Sequence, residues 1–275
     1  MVACDARPDG PRHWAQWAEV PRIWRTILAM DRSLVGLLGQ LEITGSVSER
    51  LRQSPLLLTA NHIGVFDAFV LMAACRQIGI APRFLLTGGL LDAPVLGPAL
   101  KASGHIRVDR GKENVADAFG RAVAALNSSA VPLLVYPEGR ISRDVGLWPE
   151  RGKTGAARMA LASGAPVVPI SQWGAHEAVY WGTETVHGWA DVKPLLTSGV
   201  GSIARRPRFA VHFGDPVGLD DLTADRPGDA VRAHARIMRA ITGGLRTLRQ
   251  DEPDTPRFHD PTRPTDTRSP WHNTP

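Results

Sequence analysis

This sequence has little cysteine, no long apolar run and no recognisable signal peptide. Its two cysteines, Cys4 and Cys75, cannot build a disulfide framework. No stretch of about 20 apolar residues is present, and the first residues are not typical of a cleavable signal peptide. These absences exclude a disulfide-stapled secreted domain and a membrane-spanning helix, and they favour a reducing, cytoplasmic-side location.

The motifs of several enzyme and binding classes are missing as well. There is no Gly-x-Ser-x-Gly nucleophile elbow. Residues 152–154 resemble the end of a phosphate-binding loop, but that loop needs a glycine where this chain has Leu147. No Cys/His cluster has metal-ligand spacing, and no nucleic-acid-binding motif is visible. We therefore predict no metal, no cofactor and no nucleic-acid partner.

The chain does contain an excess of positive charge and enough apolar residues for one core. Its formal net charge is +5, carried largely by arginine, and 43% of its 275 residues are hydrophobic. One domain with flanking termini is the economical interpretation of that size. The charge suits anionic lipid head groups or phosphorylated substrates.

Apolar runs of strand length alternate with segments of helical periodicity. Strands are predicted near 55–60, 82–87, 105–109, 131–136, 166–171 and 207–213, and helices near 67–79, 90–102, 113–127 and 153–163. This alternation is typical of an α/β domain whose largely parallel or mixed central sheet is covered by helices.

A histidine and an aspartate, His62 and Asp67, follow the first predicted strand within residues 61–67. A turn through Gly64 lets the Asp67 carboxylate, in the first turn of the next helix, fold back towards the imidazole. A neutral imidazole can remove a proton from a hydroxyl, and a carboxylate on its other nitrogen fixes the tautomer. Taken alone, the pair is better explained as a loop histidine beside a helix-capping aspartate.

Three further motifs decide between these interpretations. They are GHIRVDR over 104–110, VYPEGR over 135–140 and APVVPI over 165–170. In this order and spacing, after the His–Asp pair, they resemble the glycerolipid acyltransferase family, the lysophosphatidic acid acyltransferases, over roughly residues 55–215. The resemblance implies a glycerol-3-phosphate acyltransferase-like fold.

The resemblance also implies a role for each motif residue. His62 and Asp67 would be catalytic, Arg110 would bind phosphate, and Glu138 and Gly139 would bind the acceptor. Local sequence supports Arg110, because it follows a strand and a guanidinium suits phosphate oxygens. For Glu138, a helix cap or an ion pair with a nearby arginine fits local sequence equally well.

Two positions depart from the family pattern. The family commonly has serine two residues after the histidine and threonine after Glu-Gly, where this chain has Gly64 and Arg140. Gly64 lacks a hydroxyl that could cap the following helix, and Arg140 adds a fixed cation with bidentate reach. Arg140 is therefore a further acceptor-binding candidate, which either binds phosphate or favours a different anionic head group.

The N-terminal segment has the pattern of amphipathic helices. Over residues 13–41, tryptophans and aliphatic residues at helical spacing are interrupted by arginines. We expect contact with an anionic membrane surface, and packing on the domain is the alternative. The predicted organisation is an N-terminal amphipathic segment over 1–45, an acyltransferase domain over 46–249 and a disordered tail over 250–275.

The resemblance implies an activity and its substrates. A fatty acyl group would move from an acyl thioester, on coenzyme A or acyl carrier protein, to the free hydroxyl of 1-acylglycerol 3-phosphate. The product would be phosphatidic acid, in phospholipid biosynthesis, at the cytoplasmic side of a membrane. Two alternatives stay open: the same chemistry on another lysophospholipid, glycolipid or secondary metabolite, and a non-catalytic lipid-binding protein.

Overall fold

The computed structural model describes most of the chain, namely residues 14–86, 88–92, 94, 96–108, 115–179, 189–252, 255–258 and 263–272. Within these residues the helices are α1 (Trp14–Glu19), α2 (Arg22–Leu38), α3 (Glu49–Arg52), α4 (Asp67–Gln77), α5 (Gly88–Leu91), α6 (Leu96–Ala102), α7 (Val115–Ser128), α8 (Gly155–Ser163), α9 (Ala175–Ala178), α10 (Trp189–Arg205) and α11 (Asp229–Leu248). The strands are β1 (Gln40–Gly45), β2 (Leu57–Ala60), β3 (Arg83–Leu86), β4 (Ile106–Arg107), β5 (Leu133–Val135), β6 (Val167–Trp173) and β7 (Arg208–Phe213).

The described strands form one seven-stranded sheet in the order β1-β7-β6-β2-β5-β3-β4. Strands β2 to β6 are parallel to their neighbours, whereas β7 runs antiparallel to β6 and parallel to β1. The sheet is therefore mixed. The predicted α/β class, with helices covering a largely parallel or mixed sheet, is confirmed.

Two apolar layers cover the sheet and explain why its central strands are continuous hydrophobic runs. Every residue of β2, β5 and β6 is buried. Side chains of α2 and α4 pack on one face, and those of α7, α8 and α11 pack on the other. A strand covered on both faces needs no polar alternation, which is the pattern of parallel strands in α/β proteins.

Strand direction decides which loops lie near His62. The carboxyl ends of β2 to β6 share one edge of the sheet, here called the carboxyl edge. Because β7 is antiparallel to β6 and pairs Ala210 with Trp173, β7 begins at this edge. Strand β1 begins there too, since Gln40 pairs with Arg208. The end of α2 and the whole β6–β7 connection therefore meet the sheet at the carboxyl edge.

The β6–β7 connection is closed tightly at its base. Gly174, with φ of +94°, follows β6, and a Cβ atom on it would lie 1.9 Å from the backbone oxygen of Arg208 at the start of β7. Only glycine permits this close approach of the two chain segments. The connection of residues 174–207 thus leaves and rejoins the sheet at one point.

Helix α2 carries two apolar stripes. One is buried against the domain and includes Trp24, Leu28, Val35 and Leu38, and the Trp24 Nε1 group donates to the backbone oxygen of Pro82 at 3.1 Å. The second stripe is exposed and consists of Ile23, Met30, Leu34 and Leu37, at 41%, 68%, 39% and 51% of their accessible surface. The buried stripe packs on the domain, which is the alternative that the sequence left open. Contact of the exposed stripe with a membrane stays a prediction. None of the described helices is long and apolar enough to cross a membrane.

Strand β1 and helix α10 are among the elements that were not predicted. Strand β1 lies at the sheet edge with alternating exposed and half-buried residues, inside the range that sequence analysis assigned to the N-terminal segment of 1–45. Helix α10 lies in the β6–β7 connection, where no element was expected. Pro194, Gly199 and Gly201 lie within it, and proline and glycine disfavour a helix, which explains why it was not predicted.

The C-terminal segment differs from the disordered tail expected over 250–275. Its described residues 263–272 lie on the loop after β5: Ser269 Oγ donates to the backbone oxygen of Pro149 at 2.5 Å, and Trp271 Nε1 donates to that of Glu150 at 2.8 Å. Trp271 also packs against the apolar layer that contains α11. The proline and threonine content suggested disorder. The contacts that hold the segment come from isolated side chains, such as Ser269 and Trp271, which leave no periodic pattern in the sequence.

We predict that Trp271→Ala lowers the thermal midpoint by several degrees. Loss of a half-buried indole and its hydrogen bond should cost roughly 1–3 kcal/mol. The matched control is Arg268→Ala, because Arg268 is exposed in the same segment. Calorimetry of both variants decides, and equal midpoints for wild type and Trp271→Ala would mean that the segment does not stabilise the domain.

Candidate active site

The predicted catalytic pair meets in space. His62 follows β2 and Asp67 begins α4, and the Nδ1 group of His62 donates to Asp67 Oδ2 at 2.9 Å. The Asp67 side chain is fully buried, whereas 20% of the His62 side chain is exposed. The carboxylate therefore fixes the tautomer in which Nε2 of His62 is the free basic nitrogen.

One oxygen of Asp67 holds the whole turn. In addition to the imidazole, Oδ2 accepts the backbone N–H groups of Ile63 at 2.5 Å and Gly64 at 2.9 Å. Three donors on a buried oxygen stabilise the carboxylate charge and lock the turn. The other oxygen, Oδ1, has no partner among the described residues. A Cβ atom on Gly64 would lie 3.6 Å from Oδ1, in ordinary van der Waals contact.

The backbone of His62 is clamped by the loop that follows β5. Its N–H group donates to Glu138 Oε1 at 2.7 Å, and its carbonyl oxygen accepts the N–H of Ser142 at 2.7 Å. The imidazole lies flat on the ring of Tyr136, with centroids 4.1 Å apart and planes 14° apart. Both the main chain and the side chain of His62 are thus fixed by the same loop.

Glu138 supports the site from beneath. It is 4% exposed, and its second oxygen accepts the backbone N–H of Glu150 at 2.8 Å. Burial raises the pKa of Glu138 to about 8, although the N–H donors of Glu150 and His62 favour its charged form. Glu138 thus stabilises the His62 turn through backbone hydrogen bonds. The contact with the acceptor that the sequence predicted does not match this buried position.

Arg140 lies at the rim of the site and is paired. Its Nε and one terminal nitrogen both contact Glu150 Oε2, at 3.0 and 2.9 Å. The Arg140 side chain is 35% exposed, so one side of the guanidinium faces solvent. The glutamate partner fixes a cation beside the Glu138-Gly139 turn, where an anionic group of a substrate can reach it.

Gly139 shapes this turn, and Arg110 lies outside the described residues. The φ angle of Gly139 is +75°, a left-handed conformation that favours glycine. The Lys153 side chain runs past it, with Cδ 3.9 Å from a Cβ built on Gly139. The acceptor-binding role of Gly139 and the phosphate-binding role of Arg110 both stay predictions.

Sequence reasoning missed two parts of the site. Tyr136 was included in a motif but given no role, since stacking on His62 depends on the pairing of β2 with β5. Asn61 and Gln172 form a reciprocal set of hydrogen bonds between β2 and β6: Asn61 Nδ2 donates to the Gln172 carbonyl at 3.0 Å, and the Gln172 N–H donates to Asn61 Oδ1 at 2.8 Å. The sequence signal for this contact was weak: Asn61 directly follows the apolar strand β2, and Gln172 lies near the end of the apolar strand β6.

A buried histidine and two arginines lie behind the catalytic turn. The Cα of His176 is 3.5 Å from a Cβ built on Gly64, and Arg263 of the C-terminal segment donates to the carbonyl oxygen of Ile63. Burial, aided by Arg263 and Arg249, lowers the pKa of His176 to about 3. His176 is therefore neutral and contributes no charge to the site.

No metal cluster accompanies the pair in the described part of the chain, where no three histidine, cysteine, aspartate or glutamate residues are grouped to hold an ion. The side chains around His62 are instead an aspartate, a tyrosine and a buried glutamate whose oxygens are already occupied by N–H donors. This set is suited to proton transfer at Nε2 of His62. The predicted absence of a metal and of a cofactor stays a prediction.

Comparison with known proteins adds relatives to this geometry. Residues 42–173 match the family model described as Acyltransferase. The 1-acyl-sn-glycerol-3-phosphate acyltransferase of Limnanthes douglasii is 29% identical over 212 residues, which are 76% of this chain and 66% of that protein. Those of Saccharomyces cerevisiae and Escherichia coli are 25% and 31% identical, over 80% and 40% of this chain and 63% and 44% of their own lengths. The chain spans less than two thirds of each relative.

A solved structure shares the fold. The crystal structure of the 1-acyl-sn-glycerophosphate (LPA) acyltransferase, PlsC, from Thermotoga maritima is similar to this one with a TM-score of 0.58. The two chains are 16% identical, and the likeness covers 86% of this chain and 83% of the other. Residues 42–173 thus resemble the acyltransferase family, and the fold and the His62–Asp67 pair agree with that resemblance.

Proposed function

We propose that this protein transfers a fatty acyl group from an acyl thioester to the free hydroxyl of 1-acylglycerol 3-phosphate, giving phosphatidic acid for phospholipid biosynthesis. The donor is acyl-coenzyme A or acyl carrier protein. The observation that carries the proposal is the His62–Asp67 hydrogen bond of 2.9 Å, with the histidine partly exposed and the aspartate buried. The names of the similar proteins support the acceptor and the reaction class.

The mechanism is direct transfer with His62 as general base. Nε2 takes the proton of the acceptor hydroxyl while its oxygen attacks the thioester carbonyl carbon. The imidazolium that forms is stabilised by the buried Asp67 carboxylate through Nδ1. The tetrahedral intermediate then collapses, the carbon–sulfur bond breaks, and the departing thiolate takes the proton from Nε2. No acyl-enzyme is required, so a nucleophilic serine or cysteine is not needed.

Three features of the site are proposed to recognise the acceptor. Arg110 binds its phosphate, as the family resemblance implies, and Arg140 supplies a second cation whose direction is fixed by Glu150. Gly139, whose left-handed φ favours glycine, precedes Arg140 in the same turn and would lie beside the acceptor. Glu138 acts on the acceptor indirectly, by holding the backbone of His62.

We further propose that the protein works at the cytoplasmic side of a membrane, as a peripheral protein. The exposed stripe of α2 is the supporting observation, because Met30 and Leu37 keep 68% and 51% of their surface accessible. Arginines of the same helix suit anionic head groups. A lysophospholipid acceptor would reach the site from that surface.

Replacing the base tests the mechanism. His62→Ala should lower kcat by about a hundredfold to ten-thousandfold, the usual loss for a positioned base, and Asp67→Asn should lower it as well because it removes the charge that stabilises the imidazolium. Thiol release from the donor and product formation are measured together with circular dichroism. The matched control is His212→Ala, since the His212 side chain is paired with Thr44 of β1. Near wild-type turnover by folded His62→Ala protein would refute the mechanism.

The arginines can be separated by kinetics with each substrate varied in turn. Arg110→Ala should raise KM for the phosphate-bearing acceptor by at least about tenfold and leave KM for the acyl donor nearly unchanged, because a lost charge-assisted contact weakens only the group that it binds. Arg140→Thr should show the same selectivity. Arg107→Ala is the control, as Arg107 pairs with Asp92 at the surface. Equal changes in both KM values would remove the arginine from the acceptor site.

The α2 stripe can be tested with vesicles of phosphatidylglycerol and phosphatidylcholine. The triple variant Met30→Gln, Leu34→Gln, Leu37→Gln should bind these vesicles at least about tenfold more weakly, since it removes apolar area from the interface. It should still turn over a short-chain, water-soluble acceptor. Ser33→Ala on the polar side of the helix is the control. Unchanged sedimentation with vesicles would show that the stripe has no role at a membrane.

A further inference from the structure

Helix α10 has its apolar and polar sides reversed relative to a surface helix of a soluble protein. Ser198 and Ser202 are 3% and 0% exposed and face the domain. Leu196, Val200 and Ile203, at 54%, 68% and 41%, lie on the outer side. Residues four and three apart share a helix face, so these three form one continuous outward stripe.

The inward side is built for close packing. Ser202 Oγ donates to the backbone oxygen of Leu38 at 2.5 Å, which ties α10 to the end of α2. Small side chains permit close approach of neighbouring helices, and apolar residues on the outside match a surrounding lipid phase. In water, the same outward stripe is an apolar patch with nothing to bury it.

The position of α10 relates this stripe to the chemistry. The helix lies in the connection of residues 174–207, which leaves and rejoins the sheet at the carboxyl edge. His62 follows β2 at that edge, since β2 is parallel to β6. Helix α2 ends at the same edge and contacts α10. The two exposed apolar stripes therefore belong to neighbouring helices on the side of the sheet edge where the catalytic pair lies.

The exposed charges beside the stripe are positive. Lys193, Arg205 and Arg206 are all exposed, and the acidic residue of α10, Asp191, lies N-terminal to the stripe. Cations around an apolar stripe suit an anionic bilayer, where arginine and lysine meet phosphates as aliphatic side chains enter the acyl region. A symmetric contact with a second copy would place the same cations opposite one another, which is unfavourable.

We propose that α10 is a second membrane-contacting element, which lies in the interface of an anionic bilayer beside α2 and holds the carboxyl edge of the sheet against the lipid. This rests on the proposed function only in that the acceptor is a lipid. The bilayer then supplies the acceptor next to His62, and the two helices bind the membrane together, so that loss of either stripe weakens binding.

The experiment compares the triple variant Leu196→Gln, Val200→Gln, Ile203→Gln with the control Thr197→Ala, Ala204→Ser, which changes exposed residues of the same helix. Glutamine keeps helix propensity high, so folding is preserved. We expect binding to phosphatidylglycerol vesicles to fall at least about tenfold in the triple variant and to be unchanged in the control. Thermal midpoint and turnover of a short-chain, soluble acceptor should stay at wild-type values.

Three results would overturn the proposal. Wild-type vesicle binding by the triple variant would exclude α10 from the membrane surface. A concentration-dependent dimer of the wild type that the triple variant loses, with vesicle binding unchanged, would assign the stripe to a second copy. Loss of thermal stability and soluble-acceptor turnover together would assign it to folding. Failure of the proposed function is distinguishable, because the wild type would then turn over no acceptor while the vesicle measurements are still decisive.

Discussion

The clamp on the backbone of His62 is the constraint on which the rest of the site depends. Glu138 Oε1 accepts its N–H, and the N–H of Ser142 binds its carbonyl oxygen. A buried N–H without a partner costs about 1–3 kcal/mol, so the β2 exit and the β5 exit are held in one arrangement. The pairing of Asp67 with the imidazole, the stacking of Tyr136 and the direction of Nε2 all require that arrangement. The geometry of this pair therefore depends on two strand ends that are held together.

The central strands and the catalytic pair could be predicted because their signals are local. Buried runs such as Leu57–Ala60 need no knowledge of their partners, and His62 and Asp67 are joined by one short turn. The role of Glu138 could not be predicted, because its partners are backbone groups brought near it by the pairing of β2 with β5. Helix α10 was missed because Pro194, Gly199 and Gly201, which disfavour a helix, interrupt its pattern. The contacts of Trp271 depend on one side chain, which periodicity cannot register.

The charged groups of the site differ in burial. Asp67 is fully buried beside His62, burial raises the pKa of Glu138, and the pair of Arg140 with Glu150 is partly exposed. Arg140 therefore offers a solvent-accessible cation, whereas the carboxylate that contacts the imidazole is shielded from solvent.

The tight base of the β6–β7 connection has a consequence for how related enzymes can diverge. Because Gly174 and Arg208 are already in contact, the intervening residues form a closed loop whose ends stay fixed whatever its length. Doubling the length of such a loop costs only about 0.6 kcal/mol in closure entropy. This segment can therefore vary among related proteins, with longer, shorter or differently charged helices, without a shift in the register of the sheet. The turn that carries His62 and the exposed stripe of α10 can in that sense change independently of one another.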